Sequence, residues 1–217
     1  FGAGGVHSAE VIGVAGVERA LDERLRDPAR LDEPLALSID LTVQAVAREV
    51  LDAGIRMLNA RGGAAIVLDA RNGEVIAALS LPDFDPNDRP QPATEGDPSE
   101  SPLFNRAIQG VYELGSVMKV FPVAQALELG LVNTETRINT KGPMQLGRFR
   151  VRDFRNYGPD LSVTQVLVKS SNIGTARIVQ QIGPVRQQAC LGALGFLEPL
   201  ALEMTEAPGA RPLLPAR

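Results

Sequence analysis

The chain has 217 residues, 44% hydrophobic and 22% charged, with 22 basic against 26 acidic side chains for a net charge of −4. These proportions belong to a globular chain long enough to bury a real core; they exclude disorder and fibre, and the acidic balance offers no sequence-independent attraction to nucleic acid. One cysteine, Cys190, excludes an internal disulfide framework and a multi-cysteine zinc site. One histidine, His7, makes a Ser-His-Asp or Cys-His engine improbable, and no apolar run approaches the ~20 residues of a membrane span.

In chain order, Gly2, Gly4 and Gly5 open a flexible start, and residues 17–26 carry charges at helical spacing, consistent with a linker capped by a short helix. From Leu41, the residues Val43, Val46, Val50, Leu51, Ile55 and Leu58 recur at intervals of three and four, which predicts an amphipathic helix ending near Arg61-Gly62-Gly63. Two apolar runs, 64–69 and 74–80, flank Arg71-Asn72-Gly73 and predict a β-hairpin. Residues 81–103 hold six prolines among polar residues and predict a long surface loop. A helix is expected over 116–129, closed by Gly130. An irregular stretch follows over 131–160, then helices over 161–169, 173–182 and 184–193, and a proline-rich tail from Pro199. There is no internal repeat. A helix followed by a hairpin points to an α/β (α+β) domain with an antiparallel sheet flanked by helices.

The segment that carries chemistry is 112–119, Tyr-Glu-Leu-Gly-Ser-Val-Met-Lys. By itself Ser116-x-x-Lys119 also describes an ordinary capped helix start with a solvated lysine. The chemical reading is that residues three apart share one helix face, so a desolvated, neutral Lys119 could take the proton of Ser116. Backbone N–H groups at the helix start could then receive a developing oxyanion. Nucleophile, base and part of an oxyanion hole fit in one turn without histidine. A second element, Ser170-Ser171-Asn172, begins 54 positions after Ser116. Alone it reads as a helix cap, with Asn172 capping the next helix. Paired with Ser116 and Lys119, it is a hydroxyl and an amide placed to relay a proton and hold a peptide backbone.

The context of these motifs resembles class B penicillin-binding proteins. Residues 104–121 are similar to that family's nucleophile segment, 63–87 to the strand pair before it, 39–51 to its first helix, 168–183 to its second motif and 13–25 to its linker. The resemblance implies a penicillin-binding/serine β-lactamase-like transpeptidase fold, with residues 1–34 ending the N-terminal pedestal region and 35–217 forming a partial transpeptidase domain. By the same resemblance Ser116 is acylated, Lys119 is its base, and Ser170 and Asn172 are the second-motif residues. Ser116 is then expected to attack the bond before the terminal D-alanine of a peptidoglycan stem peptide and pass the acyl group to a neighbouring amine. β-Lactam antibiotics are expected to trap it. No cofactor and no metal are implied. The Val-Tyr-Glu-Leu-Gly-Ser segment and the loop bearing Arg106 look more like the division-specific septal type than the elongation type. Partners implied are a membrane glycosyltransferase and other divisome proteins. The implied location is the periplasmic face of the inner membrane, with an anchoring N-terminal helix absent from this chain.

No Lys-Thr-Gly or Lys-Ser-Gly follows the second motif; Lys141-Gly142 precedes it and reads as a turn. The chain is therefore expected to be truncated, with the site incomplete at its C-terminal side. A serine β-lactamase or penicillin-sensing domain, and a non-catalytic scaffold of the same fold, remain as alternative readings. Asp83, Asp85 and Asp88 lack the glycine and glutamate of a calcium loop and read as a turn. Cys190 reads as a small core residue, Asp69 and Glu74 as turn flanks, and Tyr112 and Glu113 as walls of the cleft.

Overall fold

In the computed structural model, which describes residues 12–92, 94–200 and 202–207, the chain forms two units. The first carries the elements up to Val111 and the segment returning after Glu198; the second runs over Tyr112–Glu198. The glycine-rich opening, His7 and the end of the tail lie outside the described residues.

The first unit begins with two short helices, α1 (Gly16–Ala20) and α2 (Asp22–Leu25). The predicted long helix is α3, Leu41–Leu58. The Asp40 carboxylate starts it by accepting from the Thr42 and Val43 N–H groups at 2.8 and 3.0 Å, and Asn59 ends it in the left-handed conformation at φ 50. The hairpin forms as predicted: β1 (Gly63–Leu68) pairs antiparallel with β2 (Val75–Leu81) from Gly63↔Leu81 to Leu68↔Val75, with a bulge at Val67/Leu68. Gly73 supplies the left-handed turn residue at φ 80. On β2 the inward positions Ala77, Leu79 and Leu81 are buried, the period of two expected of a strand with one packed face. The Gln44 side chain on α3 joins helix to strand. Its amide donates to the Ala78 carbonyl and accepts from the Ala78 N–H, both at 2.9 Å.

The loop after β2 is long, as predicted, and is held by Arg106, which is buried. Its guanidinium donates to the Ser99 carbonyl at 2.6 Å and to the Ser101 carbonyl at 3.3 Å. A side chain at Gly62 would come within 2.7 Å of the Arg106 Nε, so glycine is required for that close approach. Asp85 and Asp97 act as local caps, accepting from the Asn87 and Ser99 N–H groups, and Asp83 pairs with Arg48 of α3.

The second unit starts with a 3-10 turn, Gly115–Lys119, followed by α4, Val120–Glu128. The predicted helix over 116–129 is thus divided. Pro122 explains the division: it lies in the first turn of α4, where its missing N–H costs nothing, whereas an α-helix from Ser116 would bury it mid-helix against the Met118 carbonyl. The stretch expected to be irregular contains β3 (Arg137–Asn139), β4 (Met144–Leu146), β5 (Phe149–Val151) and β6 (Asp160–Ser162). Strands of three residues are too short to show a period. Leu161, expected in a helix, is paired with Ile138 in the β3–β6 ladder. The helix α5 then covers Val163–Val168, because Ser162 and Gln165 form a reciprocal capping box. The last helices, α6 (Asn172–Ile182) and α7 (Pro184–Ala193), match their expected positions.

Among the described residues the pairing is antiparallel, as expected, but divided among three two-stranded ladders, β1–β2, β3–β6 and β4–β5. The core of the second unit joins Val123 and Ala126 of α4, Ile138, Leu161, Val163 and Val166, and Ile178 and Ile182 of α6. Cys190 is half-buried on α7, which buries no residue fully, so its expected place in the core is not confirmed.

Candidate active site

The site is built from the 3-10 turn and the junction between α5 and α6. Gly115, at φ 57, occupies backbone space that a β-carbon would strain and turns the chain so that Ser116 stands exposed. Lys119, one turn on, is half-buried. Tyr112 and Glu113 just before the turn are exposed.

The α5–α6 junction follows from backbone hydrogen bonding. The Ser170 N–H donates to the Leu167 carbonyl at 3.0 Å and the Ser171 N–H to the Val166 carbonyl at 2.9 Å, the double closure that ends many helices. That closure demands a left-handed residue, usually glycine. Here it is Ser170, at φ 54. The strained serine aims both its oxygens one way. The Lys119 Nζ donates to the Ser170 carbonyl at 2.7 Å and to the Ser170 Oγ at 2.9 Å. It also donates to the Asn172 Oδ1 at 2.5 Å, while the Asn172 Nδ2 donates to the Arg152 carbonyl at 2.8 Å.

Three of the four predicted residues therefore meet at one amine, and Ser116 shares its turn. Among the described residues no hydrogen bond joins Ser116 to Lys119; the amine is directed at the second motif. Burial pushes the Lys119 ammonium below its ordinary pKa, and the Asp153 carboxylate opposes that shift.

The cap of α6 corrects one expectation: it is Ser171, not Asn172. The Ser171 Oγ accepts from the Gly174 N–H at 2.9 Å and donates to the Asp153 Oδ2 at 2.8 Å; the Asp153 Oδ1 accepts from the Ile173 N–H at 3.0 Å. Asp153 thus ties down both sides of the cap and places a negative charge near Lys119. Sequence reasoning missed it. It lies in a stretch without period, 18 residues before its partner, and only the three-residue step from Ser171 to Gly174 hinted at the cap. Among the described residues no cluster of three histidine, cysteine or acidic residues is placed to hold a metal, and no helix is long and apolar enough to cross a membrane.

The chain is similar to a peptidoglycan glycosyltransferase from Burkholderia ambifaria, with TM-score 0.66 and 31% identity over 83% of this chain and 51% of that one. It is also similar to the TP domain of penicillin-binding protein 3 from Burkholderia pseudomallei, with TM-score 0.63 and 27% identity over 81% and 47%. The fold is that of penicillin-binding transpeptidase domains. Residues 63–209 match the family model of the penicillin binding protein transpeptidase domain, and the chain belongs to that family. A curated relative, the probable peptidoglycan D,D-transpeptidase FtsI of Caulobacter vibrioides, is 33% identical over 206 residues, covering 94% of this chain and 34% of that protein. The chain thus spans about a third of that relative's length.

Proposed function

We propose that this chain carries the acylating part of a peptidoglycan D,D-transpeptidase site, with Ser116 as nucleophile, Lys119 as its base, and Ser170 and Asn172 as relay and positioning groups. The observation that carries the reading is the Lys119 amine, held at 2.5–2.9 Å from Ser170 and Asn172 in the same turn as Ser116. The half-buried amine loses its proton more readily than an exposed lysine and, once neutral, accepts the Ser116 proton. The Ser116 oxygen then attacks the carbonyl of the terminal D-alanyl bond. Ser170, whose hydroxyl both accepts from and can donate to the amine, returns the proton to the leaving D-alanine nitrogen. Asn172 presents an amide to the peptide backbone. An amine from a second stem peptide completes the transfer, and a β-lactam stops it at the acyl-enzyme.

The likeness of residues 111–116 and of the loop bearing Arg106 to the septal type supports a role in septal wall synthesis, which on this reading brings a membrane glycosyltransferase and divisome proteins as partners. The same reading places the protein at the periplasmic face of the inner membrane. Residues 1–34 then lead from a pedestal region into the catalytic domain.

The test is labelling of the full-length protein with a fluorescent penicillin, followed by peptide mass mapping. The adduct is expected on Ser116, absent in Ser116→Ala, and formed about 100- to 10,000-fold more slowly in Lys119→Ala. An adduct on another residue, or an unchanged rate in the lysine variant, refutes the assignment.

A further inference from the structure

An open cleft of about 710 Å³ lies in the second unit beside the α5–α6 junction, reached from the site through Asp153 and Ile173. Its walls include Lys141, Arg152, Arg155, Asn156 and Tyr157. The charge there is unlike that of the rest of the chain. Residues 141–155 hold five basic side chains against the single acid Asp153, in a protein whose net charge is −4. Both oxygens of that acid are already engaged by the Ser171 hydroxyl and the Ile173 N–H. Among the described residues no carboxylate pairs with Lys141, Arg152 or Arg155; the Arg155 guanidinium lies over the Phe154 ring at 6.0 Å, and that ring is 91% exposed. That contact leaves the guanidinium N–H fork free for a planar anion.

The cleft and the site are joined by a hydrogen bond between Asn172 of the site and Arg152 of the cleft wall. Asn172 accepts from Lys119 on one side, and on the other donates to the carbonyl of Arg152. A peptide seated on Asn172 therefore lies beside the basic walls. We propose that this cleft is a subsite for free carboxylates carried by the peptide substrate away from its scissile bond, bound by Arg152 and Arg155 with Lys141 adding charge. The proposal rests on the transpeptidase reading above. Ion pairs this exposed are individually weak and screened by salt, so their effect is on selection between peptides rather than on the chemical step.

The experiment compares two peptides ending in D-Ala-D-Ala, one with free side-chain carboxylates and one with the same groups amidated, as substrates of the full-length protein. Expected is a kcat/KM ratio of about ten in favour of the acidic peptide at low salt, falling toward one in 0.5 M salt, as several weak exposed pairs together allow. In the variant carrying Lys141→Gln and Arg155→Gln the ratio falls severalfold toward one. Because each protein is scored by a ratio, a general loss of activity does not mimic the effect. If the native protein treats both peptides alike, or if the ratio survives both salt and substitution, the subsite is rejected. Absence of a penicillin adduct on Ser116 would remove the parent reading instead, and is scored separately.

Discussion

At Ser170 a β-carbon sits in the left-handed region, φ 54, where a non-glycine residue is strained by about 1–2 kcal/mol. The chain accepts that strain where a glycine would close α5 equally well, and the Lys119 amine takes both oxygens of the strained residue. This separates backbone from side chain in a measurable way. Ser170→Gly and Ser170→Ala both remove the hydroxyl, so both are expected to slow penicillin acylation. The glycine variant is expected to be more stable by about 1 kcal/mol, the reverse of the usual order in helices. Urea unfolding of the two variants gives the answer, and greater stability of the alanine variant would show that the left-handed backbone is not retained. Asp153 gives a second residue-scale prediction. Its carboxylate favours the Lys119 ammonium and so holds the lysine pKa up against the opposing effect of burial. In Asp153→Asn the ammonium loses that support and the pKa falls further. The acid limb of the acylation rate, where Lys119 must shed its proton, is then expected to move to lower pH. A lower rate with the limb unmoved would mean that Asp153 acts only through the cap.

At the scale of elements, the site depends on how α6 begins. The Ser171 side chain is fully buried and satisfies the Gly174 N–H and an Asp153 oxygen together. Removing it leaves the buried Gly174 N–H and a half-buried Asp153 oxygen without that partner, so Ser171→Ala is expected to destabilise the protein by about 1–3 kcal/mol. A denaturant midpoint giving less than about 0.5 kcal/mol, the range of an ordinary surface change, would sink the idea. The start of α6 is also tightly packed: a β-carbon at Gly174 would come within 2.6 Å of a Val166 methyl on α5. Ser170 and Asn172 therefore stand on a junction that is fixed by packing on one side and by Asp153 on the other. The 3-10 turn is the opposite case. It buries no residue, and Gly115, free to adopt a positive φ, and Pro122, with its fixed φ, shape it through the backbone rather than by packing.

For the molecule as a whole, Ser116, Lys119 and the Ser170–Asn172 junction all belong to the second unit, Tyr112–Glu198, so the four candidate site residues are carried by one compact body.

Local pattern was enough to place α3, the β1–β2 hairpin, α6 and α7, because each either repeats an apolar period over several turns or carries a turn signal of its own. It was also enough to single out Ser116, Lys119, Ser170 and Asn172, since their spacing and surroundings are written in contiguous segments. What it did not contain were the three-residue strands between Arg137 and Ser162, too short to show alternation, and the 3-10 start of the predicted helix. Tertiary structure alone decided that the Lys119 amine faces Ser170 and Asn172, that Ser171 rather than Asn172 caps α6, and that Asp153 anchors the junction. The first and third depend on hydrogen bonds between residues 18 to 53 positions apart, and a one-dimensional period carries no record of such pairs. The cap bond itself spans only Ser171 to Gly174, but the Asp153 carboxylate that holds Ser171 in place comes from 18 positions away.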